Sequence, residues 1–477
     1  MQKHLQDAKL HEECGIFGIL TNTEEAAGLT CNALLALQHR GQEGAGIAVL
    51  KNGSLLYHKN TGLVSEVFHK GVMAKLPRAD MAIGHVRYST TGGNTRSNTQ
   101  PMITEYLTGR IAAAHNGNIV NAAAIRARLE AEGCSFAATN DSEVISSLIA
   151  WEALHGESIE DAVATAAAQL RGAFSLVVLS SRDRLIALRD GAGFRPLCLG
   201  QNSHGFAVAS ESCALDSAGF TFVRDILPGE MVIIHRDGTL ESRMVLSNAR
   251  QGLCIFEYVY FARTDSTLDG LSVYEARIQM GRMLAKEHPV EADMVCGVPD
   301  SGLEAAIGYA MESGLPYQHG FVKNRYIGRS FIFPSQAQRD AAVRLKLNPL
   351  RVNVEGKRVV LVDDSIVRGT TSARIVQSLR QAGAKEVHLR ISSPPFRHSC
   401  HFGTDIDSEE NLIANRMSLE EICKQIGADS LGYISLEGLK TACGQARLPL
   451  CTGCFNGDYP VKPGEDHIKG QFESNDH

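Results

Sequence analysis

Residues 359–371 read VVLVDDSIVRGTT, an aliphatic run that stops at two aspartates and continues into a loop of small and hydroxyl-bearing residues. The aliphatic run predicts a buried strand, and the sequence TSARIVQSLRQAGA after it predicts a helix with one apolar face. A strand followed by a loop and a helix is typical of a parallel α/β sheet. In such sheets, ligands bind at the carboxyl ends of the strands, where Asp363 and Asp364 lie.

Two similar units flank this stretch. VEADMVCGVP and EVHLRISSPP each predict a further strand of the same sheet, and GLEAAIGYAMESG predicts a helix after the first of them. Right-handed crossovers would join these strands in parallel. The second half of the chain is therefore predicted to be an α/β domain.

The loop at residues 365–372 has the composition of an anion site. Backbone N–H groups at a helix N-terminus, together with serine and threonine hydroxyls, can hold a phosphate. The loop lacks the Gly-Lys-Ser/Thr ending of a Walker loop and the glycine spacing of a dinucleotide fingerprint. An ordinary turn with two N-capping aspartates is the alternative interpretation.

The stretch resembles the signature of phosphoribosyltransferases that use phosphoribosyl pyrophosphate. The resemblance implies that Asp363 and Asp364 contact the ribose hydroxyls and Mg²⁺, with Ser301 of GVPDSG near the metal. It also implies a 5′-phosphate cradle made by Ser365, Ile366, Val367, Arg368, Gly369, Thr370 and Thr371. KNRYIGRSF resembles a mobile loop that closes over the substrate. The basic residues expected to face its pyrophosphate are Lys323, Arg325 and Arg329, with Arg344 and Lys346 as further candidates.

The first half of the chain has a different pattern. Short apolar or alternating segments such as GAGIAVL, AIGHVRYS and IAAAHNGN predict strands, three helical stretches follow, and strands then return in FSLVVLSS and EMVIIHRDG. Strands, then helices, then strands indicate layered sheets with helices outside.

Cys14 lies in the sequence HEECGIFGIL, directly after two glutamates. Neighbouring carboxylates disfavour a thiolate, so Cys14 within a longer chain would be a weak nucleophile. If the chain began at Cys14, its own α-amino group, with a pKa near ~8, could serve as the base. A buried strand cysteine without a chemical role is the alternative, since CGIFGI also reads as core.

Six segments in order resemble glutamine amidotransferases that use an N-terminal cysteine: CGIFGI, LQHRGQEGAGI, HVRYSTTG, NTQPM, HNGNI and NDSEVI. The resemblance implies that a leader, residues 1–13, is removed and that Cys14 attacks the glutamine amide. Asn116 and the N–H of Gly117 would stabilise the oxyanion. Arg87 would bind the substrate carboxylate and Asp141 its ammonium group. Arg40 is expected near Cys14.

Four of the twelve cysteines form a candidate metal site. Cys451 and Cys454 make a C-x-x-C, whose spacing fits a thiolate metal site or a redox pair. With Cys254 and Cys400 they resemble the ligands of the [4Fe–4S] cluster in the iron–sulfur type of amidophosphoribosyltransferase. Zinc suits four thiolates equally well by spacing, so only the resemblance favours the cluster.

Composition limits the remaining possibilities. The chain has 477 residues, a net charge of −6, 44% hydrophobic and 21% charged residues, which is typical of a globular protein of two or three domains. The charge favours no nucleic-acid partner, no apolar run approaches a membrane span, and residues 1–13 lack a secretory signal. A cytoplasmic location is expected.

The resemblance extends from Cys14 to about Pro460 and is to the amidophosphoribosyltransferase family. It predicts a leader at 1–13, a four-layer αββα glutaminase domain at 14–245, a type I phosphoribosyltransferase domain at 246–462 and a polar tail at 463–477. Glutamine and phosphoribosyl pyrophosphate would be the substrates, with ammonia passing between the sites to form 5-phosphoribosylamine, the first step of purine synthesis. Family membership further implies a homotetramer and feedback inhibition by purine nucleotides.

Two alternatives and two departures accompany this prediction. The nitrogen acceptor could be another sugar phosphate, or the chain could be a non-catalytic nucleotide sensor, although Cys14, Arg87 and Asp363 are intact. Thr264 and Gly191 stand where the family usually has proline, and we expect at most a looser turn at each.

Overall fold

The structure is a computed structural model, and it describes residues 14–88, 93–155, 158–247, 250–324, 347–404, 406 and 408–462. The predicted leader, the predicted tail and the basic residues Arg325, Arg329, Arg344 and Lys346 lie outside the described residues. Within the described part, no helix combines the length and the apolar composition that crossing a membrane requires.

The first half contains thirteen described strands in two antiparallel sheets. Their bounds are β1 Gly15–Thr21, β2 Gly44–Lys51, β3 Ser54–Thr61, β4 Met81–Arg87, β5 Met102–Tyr106, β6 Gly109–Ile119, β7 Gly172–Ser180, β8 Arg184–Arg189, β9 Cys198–Asn202, β10 Gly205–Ala209, β11 Thr221–Asp225, β12 Glu230–His235 and β13 Leu240–Met244. One sheet has the order β11-β9-β10-β1-β4-β2-β3 and the other β13-β12-β8-β7-β6-β5.

Alternation of side chains along the strands builds the layers. Ile16 and Ile83 of the first sheet meet Val177 and Val232 of the second in a shared core that excludes water. The opposite faces of the sheets are covered by helices, whose bounds are α1 Ala26–Ala36, α2 Val64–Val67, α3 Lys70–Met73, α4 Ala122–Ala131, α5 Asp141–Leu154, α6 Ile159–Gln169 and α7 Ser212–Ser217. The predicted four-layer αββα arrangement is confirmed.

The second half is built on a four-stranded parallel sheet of order β17-β20-β21-β22. Its strands and the shorter pairs around it are β14 Leu253–Cys254, β15 Thr267–Leu268, β16 Leu271–Ser272, β17 Met294–Gly297, β18 Phe321–Lys323, β19 Leu347–Pro349, β20 Arg358–Asp363, β21 Glu386–Ile391, β22 Ser430–Tyr433 and β23 Leu450–Cys451. The three strands predicted from the sequence are β17, β20 and β21.

Helices cover both faces of this sheet. They are α8 Val273–Glu287, α9 Leu303–Ser313, α10 Arg351–Val354, α11 Thr370–Gln381, α12 Ile413–Arg416, α13 Leu419–Ile426, α14 Leu436–Ala442 and α15 Gly453–Asn456, with a π-helix at Glu257–Phe261 and a 3₁₀ turn at Glu409–Asn411. The apolar face predicted for α11 is buried through Ile375, Val376, Leu379 and Ala382. Strand β13 ends at Met244 and β14 begins at Leu253, while the exact domain limits stay a prediction.

Charged residues join the two halves. Glu257 of the π-helix is fully buried and accepts hydrogen bonds from Arg40 Nη1 and Nη2 at 3.0 and 2.8 Å, and from Arg195 Nη1 at 3.4 Å. Arg189 forms a bidentate pair with Asp269 at 3.0 and 2.8 Å. Buried charges require partners, and here each half supplies the partner for the other. The sequence pattern did not predict this, because charged residues ordinarily indicate surface.

Candidate functional site

Cys14 lies at the start of β1, where Gly15 pairs with Val86 of β4. Its side chain is buried, and its Sγ donates to the carbonyl oxygen of Tyr88 at 3.4 Å. Arg40 Nε donates to the Cys14 carbonyl oxygen at 3.1 Å. Arg40 therefore does lie beside Cys14, and it carries the contact from Glu257 of the second half to the backbone of this cysteine.

Burial raises the pKa of the Cys14 thiol to about 11. The bond to Tyr88 and the charge of Arg87 lower it, whereas the carboxylates of Asp141 and Glu43 raise it further. At neutral pH the thiol is thus protonated, and only the thiolate is a good nucleophile. A base adjacent to the sulfur is needed before Cys14 can react.

Asn116 and Gly117 are brought to this region by β6, which pairs with β7 through Asn116–Ser175 and Gly117–Phe174. The Asn116 side chain is 1% exposed, yet within the described part of the chain neither its amide nitrogen nor its amide oxygen has a hydrogen-bond partner. A buried amide without a partner is costly in a folded protein. Asn116 is therefore suited to donate to a ligand atom that develops negative charge.

Gly117 cannot be replaced by a larger residue without a backbone shift. Its φ is +145°, and a Cβ built there would lie 2.0 Å from the carbonyl oxygen of Ala173. Only glycine adopts this conformation at low cost. The sequence HNGNI thus encodes a backbone geometry as well as an amide side chain.

Arg87 and Asp141 are the two predicted binding residues for glutamine. Arg87 is the last residue of β4, and Asp141 is the first residue of α5; both side chains are buried. Arg87 Nη1 donates to the Gly93 carbonyl oxygen at 3.2 Å, and Asp141 Oδ2 accepts from the Ile119 N–H at 3.0 Å. Both charges act on the Cys14 thiol, so the structure brings these predicted residues together.

The sequence analysis missed two residues that shape this site. Asn98 donates to the Gly93 carbonyl oxygen at 2.8 Å and accepts from the Thr139 N–H at 2.8 Å, which ties the segment after Arg87 to the start of α5. Gln100 accepts from the His115 N–H at 2.7 Å and donates to the His115 carbonyl oxygen at 3.3 Å. Both residues belong to NTQPM, one of the six segments that carry the resemblance, and this motif was the available signal.

The second candidate site lies at the carboxyl ends of β17 and β20, which pair through Gly297 and Val362. Asp363 and Asp364 are buried there, and the Asp364 N–H donates to Asp363 Oδ1 at 3.0 Å. Ser301 Oγ and Ser365 Oγ both donate to the Asp364 carboxylate. The structure therefore gathers the residues predicted to bind Mg²⁺ at one edge of the sheet.

The predicted phosphate cradle consists of a loop and a helix start. Gly369, at φ +78°, is the N-cap of α11, so Thr370 and Thr371 belong to the first helical turn. Ile366 and Val367 bury their side chains in the cores on the two faces of the sheet. These two residues can contribute to an anion site only through their backbone. Arg368, which follows Val367 in the sequence, is half-buried.

Lys323, the described basic residue of the predicted mobile loop, ends β18 and forms an ion pair with Asp300 of GVPDSG. This contact places a cation beside GVPDSG, the segment that also carries Ser301. Thr264, one of the two departures, accepts from Arg277 Nη1 at 3.0 Å and donates to Glu304 Oε1 at 3.0 Å. A proline could make neither bond, so threonine adds a polar contact here.

The four predicted cluster cysteines lie near one another. Cys254 and Cys451 are paired in the short parallel β14–β23 ladder, Cys454 follows in α15, and Cys400 Sγ accepts from the Phe402 N–H at 3.4 Å. Burial raises the pKa of Cys454, and the charges of the other three thiols raise it further. Among the described residues, no three His, Cys, Asp or Glu side chains are grouped closely enough to hold a single metal ion.

Comparison with known proteins gives consistent matches. Residues 85–217 match a glutamine amidotransferase domain. The chain is 50% identical to the amidophosphoribosyltransferase of Archaeoglobus fulgidus over 95% of this chain and 99% of that protein. It is 47% identical to the Bacillus subtilis enzyme over 96% of each. A solved B. subtilis glutamine phosphoribosylpyrophosphate amidotransferase, complexed with ADP and GMP, superposes with a TM-score of 0.88 at 45% identity, over 96% of this chain and 99% of that one.

Proposed function

This chain belongs to the amidophosphoribosyltransferase family, and from that premise we propose how its residues divide the two half-reactions. The family's name joins a glutamine amidotransferase to a pentosyltransferase and implies the first step of purine synthesis. The observation that carries the assignment of roles is the buried amide of Asn116, which has no hydrogen-bond partner among the described residues and lies on β6, the strand whose Ile119 N–H binds Asp141. The charges of Asp141 and Arg87 in turn act on the Cys14 thiol.

Glutamine hydrolysis is assigned to the first half. After the leader is removed following Glu13, the freed α-amino group of Cys14 takes the thiol proton, and Sγ attacks the glutamine amide carbon. Nδ2 of Asn116 and the N–H of Gly117 hold the oxyanion, ammonia leaves, and water then releases glutamate from the thioester. Arg87 and Asp141 bind the carboxylate and ammonium ends of the substrate.

Replacing Asn116 by alanine is expected to lower kcat for glutamine hydrolysis by about 10²–10³-fold, with a small change in KM, because the lost donor acts on the transition state. Steady-state release of glutamate measures this effect. Asn121→Ala is the matched control, since Asn121 donates to Gln169 within the same half and faces no oxyanion. An increase in KM with unchanged kcat would contradict the role of Asn116 as an oxyanion donor.

Phosphoribosyl transfer is assigned to the second half. Asp363 and Asp364 bind the ribose hydroxyls, and the backbone of residues 365–371 binds the 5′-phosphate. Ammonia from the first site attacks C1 as the bond to pyrophosphate breaks, and loss of one proton from the added nitrogen to solvent yields 5-phosphoribosylamine and pyrophosphate. Asp364 and Ser301 would hold Mg²⁺, whose charge would neutralise the departing pyrophosphate. Lys323 and Arg329 would add positive charge, although Arg329 lies outside the described residues.

The four cysteines are proposed to hold a [4Fe–4S] cluster, as the family resemblance implies. Their proximity supports a shared site, since the charges of Cys254, Cys400 and Cys451 act on the Cys454 thiol. Zinc also suits four thiolates, and metal analysis distinguishes the two. Cys254, Cys400, Cys451 and Cys454 would hold the cluster in a structural role, where it would supply a rigid link between segments distant in sequence.

Cys454→Ser is expected to lose most of the bound iron and inorganic sulfide from anaerobically purified protein, because one of four ligands is removed. Iron and sulfide analysis with the visible absorbance spectrum would measure the loss. Cys423→Ser is the control, since the Cys423 thiol only donates to the Ala428 carbonyl oxygen, as a serine hydroxyl can. One zinc per chain and no iron in the unmodified protein would contradict the cluster.

Regulation and assembly are further proposals. The complex of the B. subtilis relative with ADP and GMP supports feedback inhibition by purine nucleotides. Another solved relative, described as the allosteric regulatory enzyme of purine biosynthesis, superposes with a TM-score of 0.90 at 45% identity over 97% of this chain and 99% of that one. A homotetramer and the removal of residues 1–13 are proposed from the family resemblance, and a cytoplasmic location from the composition of the chain.

A further inference from the structure

Asn118 lies one residue beyond the proposed oxyanion pair and contacts the other half of the chain. Its Nδ2 donates to the carbonyl oxygen of His401 at 2.8 Å, across 283 positions of sequence. Strand β5 pairs with β6 only as far as Ala113, so the segment from Asn116 to Asn118 has its ladder partner in β7 alone. The hydrogen bond to His401 therefore holds this segment from a second side, in addition to its pairing with β7.

The loop that carries His401 is itself held against the first half. Phe402 stacks on Phe194 with ring centroids 4.6 Å apart, and the Phe402 carbonyl oxygen accepts from Arg195 Nη2 at 2.5 Å. Both Phe194 and Phe402 are almost fully buried. The His401 carbonyl oxygen that accepts from Asn118 therefore belongs to a segment whose position is held by packing.

Gly403 lets this loop approach the oxyanion strand closely. Its φ is +110°, and a Cβ built there would lie 3.4 Å from the carbonyl carbon of Gly117 and 2.8 Å from Arg195 Nη2. The loop thus leaves little room for a side chain beside Gly117, and it accepts a hydrogen bond from Asn118. The loop therefore lies against one of the two proposed oxyanion donors, Gly117, and against the residue that follows it.

Precise placement matters here because no described residue forms a hydrogen bond that orients the Asn116 side chain. Its amide is positioned by the backbone on either side. Gln100 holds that backbone at His115, and Asn118 holds it on the other side. A displacement of about 1 Å at a reacting centre can cost on the order of 10²-fold in rate.

We propose that Asn118 is a positioning residue for glutamine hydrolysis: its bond to the His401 carbonyl, supplied by the second half, holds Asn116 and Gly117 where the oxyanion develops. This inference rests on the proposed role of Asn116 and Gly117. It makes the first reaction depend on a loop of the domain that performs the second. Family membership and the roles proposed above do not assign this residue.

The test uses the full-length protein with Asn118→Ala and Asn118→Asp. Both variants lose the donor, and only the second adds a charge. We expect kcat for glutamine hydrolysis to fall 10- to 100-fold in both, with KM for glutamine within about twofold, since Arg87 and Asp141 still bind the substrate. Ammonium-driven pyrophosphate release should stay within twofold of the unmodified protein. Asn121→Ala and Asn121→Asp are the controls and should retain kcat within about twofold.

Alkylation of Cys14 by iodoacetamide separates positioning from general loosening. This reaction forms a thioether with loss of iodide and develops no oxyanion, so its rate should be unchanged in both Asn118 variants. A matched fall in alkylation, in ammonium-driven release and in glutamine hydrolysis would indicate a purely structural residue and overturn the inference. Unchanged kcat, or a fall in Asn118→Asp alone, would also overturn it.

The experiments distinguish a failure of the proposed function from a failure of this inference. If the unmodified protein releases no pyrophosphate with either glutamine or ammonium, the assignment of the two half-reactions is wrong whatever the Asn118 variants do. A different result would refute the positioning role alone. In that case the unmodified protein is active with both nitrogen sources, Asn116→Ala lowers kcat, and the Asn118 variants have the same kcat as the unmodified protein.

Discussion

Replacing Cys14 by alanine is expected to lower glutamine-driven pyrophosphate release by at least about 10⁴-fold, because a nucleophile removed from a covalent mechanism leaves no equivalent route. Ammonium-driven release should persist within a fewfold of the unmodified protein. The second site receives ammonia in either case, and it lies on a different sheet from Cys14. Pyrophosphate release from phosphoribosyl pyrophosphate and Mg²⁺, measured with each nitrogen source in turn, gives both values.

Cys198→Ala is a suitable control for this experiment. Cys198 is also a buried cysteine of the first half, and its thiol donates to the Ala209 carbonyl oxygen within the same sheet. It should retain glutamine-driven release. If Cys14→Ala lost ammonium-driven release to the same extent, the two reactions would not be separable and Cys14 would be a structural residue.

Changing both Asp363 and Asp364 to asparagine is expected to lower pyrophosphate release by about 10³-fold or more with either nitrogen source. The two carboxylates are the proposed contacts for Mg²⁺ and the ribose hydroxyls, and a bound metal supplies several kcal/mol of transition-state stabilisation. Asparagine keeps the size of each side chain, and at position 364 its Oδ1 can still accept from one of Ser301 and Ser365 while its Nδ2 donates to the other hydroxyl. The loss should therefore come from charge.

Asp293→Asn controls for charge on the same sheet. Asp293 pairs with Arg358 at the opposite end of the β17–β20 pair, at 2.9 Å, and is partly exposed. This variant should keep normal pyrophosphate release. Equal activity of the double variant and the unmodified protein would place the phosphoribosyl site elsewhere.

Much of this fold was predictable because local patterns carry it. The aliphatic runs of β17, β20 and β21 and the glycine-bounded strands of the first half have the periodicity of their final structure. The π-helix, α8 and the elements after residue 408 were not predicted. Arg277 of α8 shows why: it is buried and donates to the carbonyl oxygens of Tyr258 and Ala262, so a charged residue occupies a core position.

The candidate sites divide in the same way. Cys14, Asn116, Gly117, Asp363 and Asp364 were proposed from motifs, and the structure gathers them into two places. Asn98, Gln100 and Asn118 were missed as individual residues, since each acts through hydrogen bonds to backbone groups of another segment: Thr139, His115 and His401, respectively. No spacing along the chain encodes such a bond.

The sequence by itself determined the two classes of domain, the chemistry offered at each site and the membership in a family, since these depend on residue types and on their local order. Only the tertiary structure decided how the halves meet: Glu257 beside Arg40, and His401 beside Asn118. The physical reason is that buried charges and amides must find partners, and the partners here come from the other half of the chain.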